Sequence, residues 1–411
     1  MRSKHYILSF AILALLLVSA THSRAQSSAR PNQRGSAVVA HKSPAQLTAE
    51  FNDLAKRAAE ARDAGRLDDA IALYGQALQL RPSWREGWWY ASTILYDRDR
   101  YTEARDAFRT LLSMLPQKGP DSGLIAPSMA MLGLCEFETR EYERALTDLQ
   151  RARVLGLGGH QQLVFVVRYH AAILLTRFEQ FELGFDVLRE FAREGNESSS
   201  VIEAFGLNVL RMPFLPLELP PDKRELVVMA GRAAYYMSVR RQAEARRVFD
   251  DLLARYPETP GVRYAFGVFL LTQEPEAALE EFRHELKLSP NHVPSMLQIA
   301  FEYIKRGDYA AGLPFAERSV QLAPNMFPAR NALGRILLET GDFGRSIREL
   351  EAGVKLEPQS PEMHFALARA YARAGRKEDA ARERALFTKL DQQMRTEREG
   401  PQSVGGVGSK P

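Results

Sequence analysis

VQLAPN at residues 320–325 is echoed by VKLEPQ at 354–359, LKLSPN at 286–291 and LQLRPS at 78–83. Pro290, Pro324 and Pro358 stand 34 residues apart, Pro82 and Pro116 repeat the interval near the N-terminus, and Pro257 to Pro290 is one residue short of it. Between successive prolines lie two apolar patterns of helical spacing. A fixed period of this length points to a stacked array, because one helix pair cannot bury its apolar face alone and needs a neighbour to cover it.

Phasing on those prolines, and on a recurring alanine at the twentieth position, gives nine units that start near Phe51, Arg85, Ala126, Phe165, Leu226, Pro260, Val293, Phe327 and Pro361. The eighth position, which plays no part in the phasing, reads Ala58, Ser92, Gly133, Ala172, Ala233, Gly267, Ala300, Gly334 and Ala368. All are small, as they must be where two helices of a pair cross closely. The twentieth position answers with Ala70, Ala104, Ala145, Gly184, Ala245, Ala278, Gly312, Ser346 and Ala380. Gly65, Gly307, Gly341 and Gly375 fall where a first helix ends in a left-handed residue, and Asp308 and Asp342 fall at the next N-cap. Pro127, Pro294, Pro328 and Pro361 lie in first turns, where proline is tolerated.

These features resemble the tetratricopeptide repeat family over about residues 50–394. The fourth unit fits least, with Arg168 at a large position and no closing proline. The resemblance implies an all-α fold, a right-handed α-solenoid of about nine helix pairs in two sub-arrays. It also implies a concave groove that takes up a peptide, a helix or another protein.

MRSKHYILSFAILALLLVSATHSRAQ opens the chain with a basic start, a fifteen-residue apolar run from Tyr6 to Ala20, and small residues at Ser23 and Ala25. This reads as a secretory signal peptide over residues 1–25, cleaved between Ala25 and Gln26, with an uncleaved N-terminal anchor as the alternative. The run is shorter than a membrane span requires, so the expected location is periplasmic or secreted. Removing Arg2, Lys4 and Arg24 from the 55 basic residues leaves 52 against 51 acidic ones, and a near-neutral chain is no general nucleic-acid binder. The single cysteine, Cys135, precludes an intramolecular disulfide. Residues 26–45 read as a disordered leader, 46–198 as an N-terminal array, 199–225 as a helix plus proline-rich joint, 226–394 as a C-terminal array and 395–411 as a disordered tail.

The joint contains MPFLPLELPPD at 212–222, which no helix can cross. Serines 198–200 are expected to cap a helix from about Val201 that stops by Arg211 or Met212. The apolar residues after it suit an extended strap docked between two sub-arrays, where a flexible linker would be polar.

No catalytic spacing is present: HExxH and GxSxG are absent, and no two histidines share a helix face at the spacing of metal ligands. Neither a metal nor any other cofactor is expected. Cys135, within MLGLCEFE, reads as a buried structural thiol. The Gly-rich GGVGSKP tail lacks the register, strand and helix of a phosphate loop.

In the family resembled, the groove is lined by first-helix positions 2, 5, 6, 9, 12 and 13. Carried onto this chain, those positions give an aromatic, apolar surface of Trp89, Tyr90, Tyr96, Met131 and Phe137, and a cationic one of Asn331, Arg335, Arg369 and Arg373. The second set resembles a clamp for an acidic C-terminus, which Glu339 and Glu362 could neutralise. The reading is a non-catalytic protein-interaction scaffold of the cell envelope with a protein or peptide partner and no nucleic acid. The alternatives are an adaptor that positions an envelope enzyme for polymer synthesis or proteolysis, and an enzyme with an unrecognised site.

Overall fold

The structure, a computed structural model, describes residues 42–116, 118 and 120–399. The expected signal peptide and its cleavage site, the leader before residue 42 and the tail beyond residue 399 lie outside them. The described residues form nineteen α-helices, short 3₁₀ turns and no strand. In chain order these are α1 (Pro44–Asp63), α2 (Leu67–Leu80), α3 (Arg85–Asp97), α4 (Tyr101–Met114), α5 (Ile125–Glu138), α6 (Tyr142–Leu155), α7 (Gln161–Arg177), α8 (Phe181–Arg193), α9 (Ser199–Val209) and α10 (Arg224–Ser238). The remainder are α11 (Gln242–Arg255), α12 (Val262–Leu270), α13 (Pro275–Leu288), α14 (Val293–Arg306), α15 (Tyr309–Leu322), α16 (Phe327–Thr340), α17 (Phe343–Leu356), α18 (Pro361–Arg373) and α19 (Lys377–Glu399). Neighbours pack as antiparallel pairs, among them α1 on α2, α5 on α6, α14 on α15, α16 on α17 and α18 on α19. No helix of the described residues is long and apolar enough to cross a membrane.

The small positions do what close crossing demands. All nine residues at the eighth position and all nine at the twentieth are buried. A Cβ on Gly267 would fall 2.6 Å from the Phe282 ring, and one on Gly334 2.6 Å from Leu350 Cγ. The Ser346 hydroxyl donates to the Gly334 carbonyl at 2.7 Å, which joins the two small positions of one repeat directly.

First helices end in the left-handed region at Gly65, Gly307, Gly341 and Gly375, as the glycines predict. The same position in four other repeats holds Asp99, Arg140, Glu179 and Arg240, each at positive φ. Glu179 therefore places the poorly matching fourth repeat in the common geometry. The sixth repeat departs from it: α12 stops at Leu270, and Pro275, which opens α13, keeps Glu274 out of the helical region at φ −130° and ψ 64°. At φ +89° and in open space, Gly341→Ala should cost about 1 kcal/mol, whereas Glu179→Gly should stabilise by a few tenths to about 1 kcal/mol. Urea unfolding of the two variants checks the opposite signs.

Asp308 and Asp342 cap as expected, accepting from Ala311 N at 3.2 Å and Arg345 N at 3.1 Å. His292 caps α14 in the same manner, with Nδ1 accepting from the Ser295 N–H at 3.3 Å. Burial, with the nearby Arg211 charge second, lowers the pKa of His292 to about 4. Between the ordinary value near 6.5 and about 4, the unfolded chain binds a proton that the folded chain excludes. Stability should thus fall by about 3 kcal/mol as pH drops through that window and return above it. His292→Asn, which caps without titrating, should flatten the profile. Part of the slope should remain, since burial lowers the pKa of His170 as well.

The chain divides into two compact units between Leu174 and Leu175, inside α7. That division differs from the expected arrays at 46–198 and 226–394, because α8 packs on α9 and α9 packs in turn on α10, which ties the fourth repeat's second helix to the later unit. The boundaries of the other segments shift too. Ser43 and Gln46 form a capping box with Pro44 in the first turn, so α1 begins inside the expected leader. At the other end α19 runs on to Glu399, past the expected limit of 394.

The joint also differs in detail. Ser198 is the N-cap of α9 but makes no side-chain cap bond. After α9 the chain makes 3₁₀ turns at Pro216–Glu218 and Pro221–Lys223 instead of one extended run. Leu215 and Leu219 are buried, and Leu219, Met212 and Phe214 join the core built on α10, α11 and α12, while Leu217 stays exposed. Arg177 fastens the segment by donating to the Pro213 carbonyl at 2.7 Å.

Candidate partner-binding face

The residues expected to meet a partner fall into two groups, one in each compact unit. In the first unit, Trp89 stands edge-on to Phe108 at 5.9 Å and Tyr96 edge-on to Tyr101 at 5.3 Å. Tyr90 is held on both sides, stacked on Tyr74 at 5.9 Å with the Arg62 guanidinium 4.0 Å from its ring centre. Phe137 lies between Tyr142 and His170, at 5.6 and 4.6 Å. All four are half-buried. Burial holds the Tyr96 hydroxyl well above the ordinary tyrosine range, so it stays un-ionised.

Met131 does not belong to this surface. It is 4% exposed, since α5 is apolar around nearly its whole circumference and buries Ala130, Leu132 and Leu134 as well. Cys135 is fully buried beside them, and burial pushes its thiol up to about 12, which leaves it an inert core group.

In the second unit, Arg335, Arg369 and Arg373 all reach the surface. Arg369 is paired with Glu339 at 2.7 Å, so the neutralisation considered from sequence applies to one arginine of the three. Among the described residues no ion pair holds Arg335 or Arg373. Asn331 is a second correction: it is 7% exposed and its Oδ1 has no hydrogen-bond partner among the described residues. Its position facing the first-helix core, between Ala329 and Leu333, removes it from the surface.

Phe365 was missed. It is 48% exposed on α18, beside Arg369 and against Phe387 of α19 at 5.2 Å. The register alone would have found it, at the ninth-repeat position that Trp89 takes in the second. Behind it His364 is buried, its Nδ1 2.6 Å from Glu383 Oε2 and its Nε2 3.0 Å from the Pro358 carbonyl, which locks α18 to α19. Also unforeseen is an open cleft of about 680 Å³, lined mainly by apolar groups: Leu183 at the start of α8, Pro324 and Met326 between α15 and α16, and Phe327 and Pro328 in the first turn of α16. Among the described residues no group of three or more His, Cys, Asp or Glu is placed to hold a metal ion.

The Tetratricopeptide repeat family model matches residues 55–122 and 331–386, one stretch in each unit. No curated protein matches. Solved structures similar to this chain include "MamA RS-1 ArsTM double mutant", at 21% identity over 41% of this chain and 94% of that one, with a TM-score of 0.38. "MamA 41-end from Desulfovibrio magneticus RS-1" is 23% identical over 41% and 99%, with a TM-score of 0.36. "Crystal structure of YrrB: a TPR protein with an unusual peptide-binding site" is 19% identical over 38% and 82%, with a TM-score of 0.35. With small residues buried at both crossing positions of every repeat and the family match falling on its first and last thirds, the chain carries tetratricopeptide repeats over those two matched stretches.

Proposed function

We propose that the protein is a non-catalytic interaction scaffold of the cell envelope that holds a protein or peptide on the exposed face of its first helices. The observation that carries this reading is the ninth repeat, where half-exposed Phe365 adjoins Arg369 on the helix that also carries Arg373, which has no ion pair among the described residues. An aromatic ring beside guanidinium groups offers an apolar anchor and a carboxylate partner together. An acidic C-terminal segment satisfies both. The half-buried rings of Trp89, Tyr90, Tyr96 and Phe137 suit a more apolar partner segment. The N-terminal apolar run supports export to the periplasm or beyond.

A photo-crosslinking residue placed at Phe365, and in a second variant at Val154, which is 89% exposed on α6, tests the reading in intact cells. Crosslinks from position 365 should go to discrete polypeptides and be competed by a short peptide with an acidic C-terminus. Position 154 should give none. Equal, uncompeted labelling from both positions would overturn the proposal.

A further inference from the structure

Helix α9 has no counterpart in any other repeat. The fourth and fifth repeats start at Phe165 and Leu226, 61 residues apart where a regular unit takes 34, so α9 and the segment behind it are an insertion. Its seat is informative. On α10, the first helix of the fifth repeat, Val227, Ala230 and Ala234 occupy the register positions of Glu362, Phe365 and Arg369 in the ninth. In the ninth repeat those three side chains are exposed, whereas in the fifth all three are buried, and the element packed over them is α9.

The contact is as close as two helices can make. A Cβ on Gly206 of α9 would lie 1.8 Å from the Val227 carbonyl oxygen, and a Cβ on Gly231 of α10 would lie 1.9 Å from the Ile202 carbonyl oxygen. Backbone therefore meets backbone at reciprocal glycines, an approach that only small residues permit. α9 is also fastened from its far side. Asn208 Nδ2 donates to Thr176 Oγ1 and to the Phe181 carbonyl, each at 2.9 Å.

We propose that α9 is a built-in ligand: a helix supplied by the chain itself, seated on the partner-binding face of the fifth repeat and tethered by the strap that follows it. This rests on the reading of the first-helix face as the partner surface. The face of α10 is then a receptor for an apolar helix with glycine at the crossing. Its occupation in cis withdraws the fifth repeat from partners and leaves those of the second unit the later repeats, where Arg335, Phe365 and Arg373 stand open.

The test uses the full chain and a fluorescein-labelled peptide of residues 198–220. Gly206→Leu should drive the chain's own α9 off α10 while leaving the receptor face intact, and this variant should bind the peptide at least tenfold more tightly than the unsubstituted chain. Gly231→Leu blocks the receptor face, so it should release α9 without gaining peptide affinity. Equal binding to both variants, or to neither, would overturn the proposal. If Gly206→Leu loses helicity throughout, native-state hydrogen exchange on the unsubstituted chain decides instead. Amides of residues 201–209 exchanging through their own opening, faster than 227–235, support a seated ligand, and a single shared rate for both helices refutes it. None of these readouts involves a partner, so they stand or fall separately from the proposed function.

Discussion

Replacing Glu285 by Ala should destabilise the second unit by about 3 kcal/mol, more than any other single side-chain truncation proposed for this protein. The reason lies at the start of α12. Its N-cap, Gly261, has φ +89° and no side chain with which to cap, and a Cβ there would come 2.9 Å from the Leu210 carbonyl oxygen. The open N–H groups are satisfied from the paired helix α13. The fully buried Glu285 carboxylate accepts from Gly261 N at 2.9 and 3.0 Å and from Tyr264 N at 3.3 Å. Burial raises its pKa while the two N–H donors oppose the rise. Alanine would leave two buried donors unsatisfied and a cavity behind them. Glu285→Gln keeps an acceptor in place and should cost about 1 kcal/mol. Hydrogen exchange at Gly261–Phe266 is the sensitive measurement, since repeats in an array open with their neighbours and not all together. Unchanged protection in the alanine variant would refute the capping role.

The second large effect concerns binding. Arg335→Ala, Arg369→Ala and Arg373→Ala together should weaken the affinity for a peptide with an acidic C-terminus by about ten- to a hundredfold, as expected when charge-assisted contacts worth about 1.5–3 kcal/mol are lost. The three should not contribute equally. Arg369 is already engaged by Glu339, so its replacement alone should have the smallest effect, and Glu339→Gln should raise the affinity slightly. Fluorescence anisotropy at 50 and 300 mM salt measures both points, because screening should compress the difference between the parent and the triple variant. An affinity that the triple substitution leaves unchanged would show that this face does not hold acidic peptides.

The repeat was legible because its determinants are local and recur. Gly341 ends a helix and Asp342 starts the next for reasons complete within one turn of chain, and Ala300 or Gly334 must be small because the partner helix of the same repeat crosses there. The surface was read less well. Met131 and Asn331 hold register positions that are open in other repeats, yet both are buried, while Phe365 went unnoticed at an equivalent position. Register assigns a face, but whether that face meets solvent depends on what the neighbouring helices bring to it.

By itself the sequence determined the helix pairs, their 34-residue phase, the close crossings and most of the caps, each enforced by residues within one repeat. Only the tertiary structure decided where the unrepeated parts go. Gly206 and Gly231 are 25 residues apart and carry no periodic mark, but their contact seats α9 on α10. The same helix brings the Leu210 carbonyl against Gly261, which removes the local cap and passes that task to Glu285. Contacts of this kind join segments with no common pattern. Their partners are selected by the shape and hydrogen-bonding needs of the assembled core, and no spacing along the chain records that selection.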